Sequence, residues 1–313
     1  MKKIVVTGLA VFALGHASTA KAGGIFYTLK TPSSGSTFEI YSITATDGSP
    51  NTVSLSANPV ATSSFTCGST VNGCTSTARI NGYSFDKNNN NFLFFNSNTS
   101  QATPTLYYAP VNGGTGSINA AVNSLTNASL LNGLNLTGSA FYKDAIFATA
   151  NGSNTLYRIP VATSGGTVTL SGTITSYTLP VGGSGINYGD IAVANGVVYG
   201  FTTGATNAER IFYTYRLSDG AQSIYGNKTQ QSMQISFGGN NTLYGVDSTG
   251  QWYTIDVANG GVSPYASSTL GFTVADLAGA EPVPSPLPVL GAAAAFQSSR
   301  RLRKRIKLNQ SKV

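Results

Sequence analysis

The chain has 313 residues, with 18 Lys and Arg against 11 Asp and Glu, and its only histidine is His16. The excess positive charge lies at the two ends, because residues 23–281 hold four Lys, four Arg, eight Asp and three Glu, a net charge of −3. A slightly acidic central region excludes a nucleic-acid-binding patch there. A region from Gly23 onward without histidine excludes His-based triads, His general bases and the usual catalytic zinc sites.

The first 22 residues predict an export signal. Two lysines precede an apolar core from Ile4 to Leu14. This core is too short to span the ~30 Å of hydrocarbon in a bilayer. Small residues at the end of the segment match the step that signal peptidase cleaves, and they stand in the order Ala20, Lys21, Ala22, Gly23. We therefore predict a signal peptide over 1–22 and a mature domain over 23–281.

The two cysteines, Cys67 and Cys74, enclose six residues. In an exported chain an isolated pair this close predicts a disulfide. Closing a loop of about eight residues would contribute ~2.5 kcal/mol through the unfolded state. The alternative is a redox-active pair, which lacks the usual Cys-x-x-Cys spacing.

Short β-branched and aromatic runs between Asn- and Gly-rich turns indicate an all-β domain. One aromatic strand recurs five times, each time before a turn rich in Gly, Asn or Asp: Ile40–Ile43, Leu106–Ala109, Leu156–Ile159, Phe212–Tyr215 and Trp252–Ile255. The aligned tyrosines are 66, 50, 56 and 40 residues apart, a spacing typical of propeller blades with uneven loops. We expect these rings to pack between sheets, and a sugar-stacking or adhesive surface is the alternative.

A hairpin precedes four of these strands, and its first arms are Gly82–Phe85, Gly138–Phe141, Gly189–Ala192 and Met233–Ser236. The first repeat lacks this arm, but Val274–Ala278 resembles it at the other end of the domain. We predict that Val274–Ala278 pairs with Ile25–Thr28 and closes a five-bladed β-propeller from both chain ends. A pair of β-sandwiches or a β-solenoid remains the alternative.

Asp190 and Asp276 occupy matching places in the predicted inner strands, where carboxylates could line the channel and hold Ca²⁺. The other blades offer Tyr83, Ser139 and Gln234, so there is no ring of acids. We expect the two aspartates to cap backbone donors, and we expect local turn hydrogen bonds from Asp47, Asp219 and Asp247. No motif selects a catalytic residue, a metal site or a cofactor.

The C-terminal segment, 282–313, joins a proline-rich hinge, a short apolar run and a basic cluster. Its marker residues are Pro284, Pro286, Leu287, Pro288, Arg300, Arg301, Arg303, Lys304 and Arg305. This order of parts resembles the PEP-CTERM sorting signals, in their short cyanobacterial variety, although Ser285 stands where the motif has Glu. The resemblance implies an exosortase-type transpeptidase as a partner.

The apolar run from Leu287 to Phe296 is shorter than the ~20 residues that a membrane-spanning helix needs. An interfacial or sorting segment, with its arginines held by the anionic cytoplasmic leaflet, fits it better.

Together these features predict a non-enzymatic protein exported to the cell envelope, cell surface or extracellular matrix, transiently anchored at the membrane, with a structural or adhesive role. Contact with exopolysaccharide is implied by the PEP-CTERM resemblance alone. One alternative is a propeller module that binds a sugar or Ca²⁺. Another is a polysaccharide hydrolase without histidine, which would need two carboxylates about 5 to 9.5 Å apart.

Overall fold

The computed structural model describes residues 22–30, 38–48, 52–63, 80–96, 104–110, 119–180, 188–203, 209–229, 232–238, 241–266 and 274–279. Within these residues the chain forms five β-sheets. None of the residues that the structure describes forms a helix with the length and hydrophobicity of a transmembrane span.

Each sheet is one blade. Blade 1 takes three strands from the start of the domain and one from its end: β1 (Ala22–Lys30), β2 (Phe38–Gly48), β3 (Thr52–Ser63) and β22 (Val274–Gly279). Blade 2 contains β4 (Ile80–Asp86), β5 (Asn91–Asn96), β6 (Leu106–Pro110) and β7 (Asn119–Ala120). Blade 3 contains β8 (Val122–Thr126), β9 (Leu136–Tyr142), β10 (Ala145–Ala150), β11 (Thr155–Ser164), β12 (Thr167–Thr173) and β13 (Thr175–Thr178), with a 3₁₀ helix at Ala128–Leu131.

The last two blades follow in the same way. Blade 4 contains β14 (Tyr188–Ala194), β15 (Val197–Thr203), β16 (Arg210–Arg216) and β17 (Gln222–Thr229). Blade 5 contains β18 (Met233–Phe237), β19 (Leu243–Asp247), β20 (Trp252–Ile255) and β21 (Val262–Ala266).

The first strands of the five blades form a closed ring. β4 contacts β9, β9 contacts β14, β14 contacts β18, β18 contacts β22, and β22 returns to β4. The molecule is therefore a five-bladed β-propeller, as the repeats predict. These five strands, one per blade, are the inner strands that surround the axis.

Blade 1 is completed by strands from both ends of the domain. β1 and β22 are antiparallel, with Tyr27 opposite Ala278 and Thr28 opposite Leu277. The predicted closure is confirmed. With β22 in place, every blade has its inner strand. Ring closure is one way in which β-proteins remove unpaired sheet edges, which are prone to aggregate.

The five aromatic repeats are the third strands of the five blades, and the four predicted hairpins are the first and second strands of blades 2 to 5. Asn195 and Gly196 turn the hairpin of blade 4 with φ angles of 52° and 76°. Two successive positive φ angles are what a two-residue type I′ turn requires. Tight Asn-Gly turns therefore set the register of this inner pair.

The apolar cores lie between neighbouring blades. Between blades 5 and 1, for example, the buried Trp252 and Val246 pack in one cluster with Ile43 and Leu277. The aligned tyrosines belong to this packing, since Tyr107, Tyr157 and Tyr213 are buried and Tyr41 and Tyr253 are half-buried. The packing role is confirmed for Tyr107, which stacks on Phe94, and for Tyr157, Tyr213 and Tyr253, which belong to or pack against buried clusters.

Candidate functional site: the propeller axis

Two buried aspartates face the inner edges of neighbouring blades. Asp190 in β14 and Asp276 in β22 are each 2% exposed. Asp190 accepts hydrogen bonds from its neighbour Ile191 N–H at 2.8 Å and from Ile235 N–H, in blade 5, at 2.9 Å. An inner strand lacks a ladder partner on its axial side, so its N–H groups there need other acceptors. Asp190 supplies one across the blade boundary.

Asp276 plays the same part between blades 1 and 2. It accepts hydrogen bonds from Leu277 N–H at 2.8 Å and from Tyr83 N–H at 2.8 Å. The backbone of Ser139 also bonds to Asp190, and that of Gly82 to Asp276. Each of the five inner strands therefore gives at least one backbone hydrogen bond to one of these two carboxylates.

The expectation that Asp190 and Asp276 cap backbone donors is confirmed. The sequence does not reveal that four of the six donors belong to neighbouring blades. A hydrophobic repeat shows where the inner strands lie. It carries no information about which backbone N–H groups of one blade meet a side chain of another.

The pairing of the inner strands corrects one detail of the repeat alignment. Ser139 pairs with Ala148 and Ile191 pairs with Gly200, at equivalent places in β10 and β15. Gly138, not Ser139, is therefore level with Asp190. A Cβ on Gly138 would lie 2.5 Å from Gly189 O and 2.7 Å from the Cα of Asp190. The position next to Asp190 thus has no space for a side chain.

In blade 2 the alignment is displaced for another reason. The β4–β5 register shifts between Asn81 and Ser84, and Gly82 has a φ of 63°. A glycine with positive φ at such a shift is the usual signature of a β-bulge. The bulge brings Tyr83 N–H into reach of Asp276.

Three buried side-chain oxygens of the inner strands have no hydrogen-bond partner: Tyr83 OH, Ser139 Oγ and Gln234 Oε1. Tyr83 and Ser139 also line a cavity of about 20 Å³, together with Ile191, Phe237 and Gly279 from the other three inner strands. A space of this size holds one water molecule or one ion. It is too small for a sugar ring.

Burial dominates the electrostatics of the two acids. It raises the pKa of Asp276 to about 7, although hydrogen bonds from Tyr83, Leu277 and Gly82 oppose the shift. Burial also raises the pKa of Asp190 well above its ordinary value, and the charge of Asp276 adds to the effect. The pKa of Tyr83 is raised by burial and then by Asp276. Ionisation of both Asp190 and Asp276 is therefore disfavoured.

The turn acids behave differently. Asp247 accepts hydrogen bonds from the backbone of Thr249 and Gln251 and from the hydroxyl of Tyr253. Burial opposes ionisation of Asp247, but these hydrogen bonds outweigh it and lower its pKa. Asp219 accepts from Ala221 N–H and Arg216. The predicted turn roles are confirmed for Asp219 and Asp247, whereas Asp47 lies in β2 and its side chain is outside the described part.

Several predicted site residues fall outside the described residues. These are Ala20 of the predicted cleavage site, the Cys67–Cys74 pair and the whole sorting segment from Pro284 to Arg305, whereas Ala22 and Gly23 lie at the start of β1. The disulfide and the sorting signals stay predictions. Within the described ranges, no three His, Cys, Asp or Glu side chains form a cluster that could hold a metal ion.

No protein-family model matches the chain, and no curated protein matches it either. Solved structures with a similar fold include a nidogen/laminin complex, with 10% identity over 83% of this chain and 100% of that one and a TM-score of 0.44. The WD40 β-propeller domain of Doa1 has 10% identity over 77% and 86% of the two chains and a TM-score of 0.37.

A calcium-binding protein, regucalcin, from Agrobacterium tumefaciens has 15% identity over 61% of this chain and 60% of its own length, with a TM-score of 0.34. At these identities and TM-scores the likenesses carry no argument about ligand or activity. The propeller assignment stands on the strand order and the ring of inner strands.

Proposed function

We propose that this protein is a non-enzymatic propeller of the cell envelope, exported through its N-terminal segment and sorted through its C-terminal one. The observation that carries the proposal is the order of parts along the chain: an export signal, a near-neutral domain, a proline hinge, an apolar run and a basic cluster. A basic cluster after an apolar segment suits the anionic cytoplasmic face of a membrane.

The position of the domain's two ends supports this proposal. β1 and β22 are antiparallel neighbours, with Phe26 opposite Gly279. The chain therefore enters and leaves the propeller at the same end of blade 1. After removal of residues 1–22 the C-terminal segment alone would hold the propeller by this face, and the opposite face would stay free.

The face that carries both ends can be identified. Gly279 ends the inner strand β22, and the turns at 87–90 and 195–196 follow the corresponding ends of β4 and β14. The tethered face is therefore the one with the short hairpin turns. The opposite face, which carries the second-to-third strand connections, is the one offered to exopolysaccharide or to other matrix components.

The state of the axial acids supports a non-enzymatic role. Asp190 and Asp276 are buried, and both accept backbone hydrogen bonds. The adjoining cavity of about 20 Å³ has no room for a polysaccharide substrate. A hydrolase would need two accessible carboxylates on either side of a glycosidic bond.

The test is a pair of C-terminal deletions expressed in the native host. Removal of residues 297–313 takes away the basic cluster, and we expect the protein to redistribute between membrane, surface and medium. Removal of only 308–313 leaves that cluster in place and serves as the matched control, with an unchanged distribution. An unchanged distribution after the longer deletion would count against sorting through the tail.

A further inference from the structure

The cleavage site predicted at the end of the export signal overlaps the first strand of the propeller. Ala22 and Gly23, which flank the predicted scissile bond, are the first two residues of β1. Ala22 lies opposite Thr46 in β2. After a register shift, the ladder continues with Ile25 opposite Thr44. The bond that a signal peptidase would cut therefore belongs to the fold of blade 1.

β1 is a central strand, so it is held along both edges. From Phe26 to Lys30 it pairs with β2 on one side and with β22 on the other. Thr28 is 0% exposed, and its hydroxyl donates a hydrogen bond to the backbone carbonyl oxygen of Asp276. β1 therefore cannot leave blade 1 without also releasing β22, the strand that closes the ring.

A peptidase needs the scissile bond in an extended segment that its active site can surround. Backbone groups already paired in a sheet cannot pair with an enzyme at the same time. Separation of Ala22 from Thr46 would still leave the bond close to the sheet, because Gly23 and Gly24 alone lie between it and the paired Ile25. Two extended residues span about 7 Å, less than the width of one helix with its side chains, about 10 Å. The folded domain therefore stands too close to the bond for an active-site cleft to enclose it.

This protection begins when the last strand arrives. β22 follows the other described strands in the chain. Until the chain has been exported through Gly279, β1 lacks its partner on the axial side and the ring of inner strands is open. Segments with few tertiary contacts open at a small free-energy cost. The bond is therefore accessible before ring closure and protected after it.

We propose that ring closure ends access to the signal-peptidase site, so that hydrolysis of the Ala22–Gly23 bond precedes completion of blade 1. Water adds across the bond and leaves a carboxylate on Ala22 and a free amine on Gly23. The mature chain loses the pair with Thr46 and keeps the ladder from Ile25 onward. A chain that closes first retains its signal peptide. This order of events rests on the proposed function, because it takes residues 1–22 as an export signal.

The experiment compares the action of purified signal peptidase on the folded full chain in mild detergent, on a peptide of residues 1–30, and on an insertion variant. The variant is the full chain with about six Gly and Ser residues between Gly24 and Ile25, a flexible insert that moves the unchanged cleavage site away from the ladder. Cooperative thermal unfolding verifies that both full chains are folded. We expect the folded wild type to be cleaved at least about tenfold more slowly than the other two, because its cleavage follows the population of the open form.

Two leucine variants connect the protection to ring closure. L277A removes a side chain that is 1% exposed in the core between blades 5 and 1. It should raise the cleavage rate of the full chain at least about fivefold, because a weakened β22 opens more often. L130A alters a leucine that is 43% exposed, and it should leave the rate within about twofold of the wild type.

Two results would overturn the proposal. Cleavage of the folded wild type as fast as that of the insertion variant would show that β1 does not protect the bond, and it would leave the export signal standing. Resistance of all three substrates would refute the cleavage site itself, and with it both this order of events and the export part of the proposed function. The two failures are therefore distinguishable.

Discussion

Gly138 and Gly189 lie in inner strands of adjacent blades, yet their surroundings differ. A Cβ on Gly138 would lie 2.5 Å from Gly189 O, whereas a Cβ on Gly189 would have Met233 O as its nearest neighbour, at 4.0 Å. Backbone atoms cannot move aside as a flexible side chain can. The narrow ring of inner strands thus depends on a missing side chain at one of two glycines that look alike in sequence.

We expect G138A to destabilise the protein by about 1–3 kcal/mol, the usual cost of forcing extra atoms into a packed interior. G189A is the matched control and should stay within about 0.5 kcal/mol of the wild type. Urea unfolding of both variants measures the difference. Equal stabilities would contradict the close approach of β9 and β14.

Asp276 should make stability depend on pH. Its folded-state pKa is about 7, above the value of about 3.9 for an unperturbed Asp. Between these values the folded state binds the proton more tightly than the unfolded state. This contribution to stability is therefore complete below about pH 4 and is lost as the pH rises through about 7.

In chelator-containing buffer, the melting temperature of the wild type should fall between about pH 5 and 8, and that of D276N should fall less, because Asn does not titrate. Asp190 and Tyr83 are the ionisable groups whose charges couple to Asp276, and they remain in both proteins. D144N should follow the wild type. Parallel profiles for wild type and D276N would show that this carboxyl titrates normally.

At the residue scale the sequence predicts only part of the site. It identifies Asp190 and Asp276 as equivalent and as backbone caps. It misplaces Ser139 by one position and also misaligns Tyr83, because the strand register of blade 3 and the bulge at Gly82 depend on how blades meet in space. The cross-blade hydrogen bonds have no local sequence signal.

At the element scale, the closure of blade 1 joins residues that are about 250 positions apart in the chain. The Thr28 hydroxyl in β1 donates a hydrogen bond to the backbone carbonyl oxygen of Asp276 in β22 at 3.0 Å. Leu277, next to that residue, is 1% exposed and packs in the core between blades 5 and 1. β22 therefore completes blade 1 and also contributes to the apolar core between blades 5 and 1.

We expect L277A to cost about 2–5 kcal/mol, as is usual for a large-to-small change in a core. Leu130, in the 3₁₀ helix of blade 3, is 43% exposed, and L130A should cost about 1 kcal/mol or less. Denaturant unfolding compares the two leucines directly. A small effect at Leu277 would argue against β22 as an integral inner strand.

The elements were largely predictable because each blade repeats one tyrosine strand and one hairpin. The outer part of blade 3 was not. There β11 pairs with β12 through Val161–Ser164 and with β13 through Thr155–Arg158, and β8 adds parallel to β12. Outer strands face solvent on more sides, so their sequences carry a weaker hydrophobic pattern than inner strands do.

At the scale of the whole molecule, the charge distribution and the strand topology both distinguish the two chain ends from the rest of the domain. The positive charge is concentrated in the two terminal segments, and both ends of the propeller lie at one end of blade 1. The sequence predicts the export and sorting segments, and the fold adds that they connect to the same face.

The intact mass of the protein from its native host, measured in each cellular fraction, is the decisive test of export and sorting. We expect a species that lacks residues 1–22, found in the envelope or the medium, and loss of the basic cluster from Arg300 onward would further identify transpeptidase processing. A full-length mass that retains residues 1–22, recovered from the cytosol, would contradict both export and sorting.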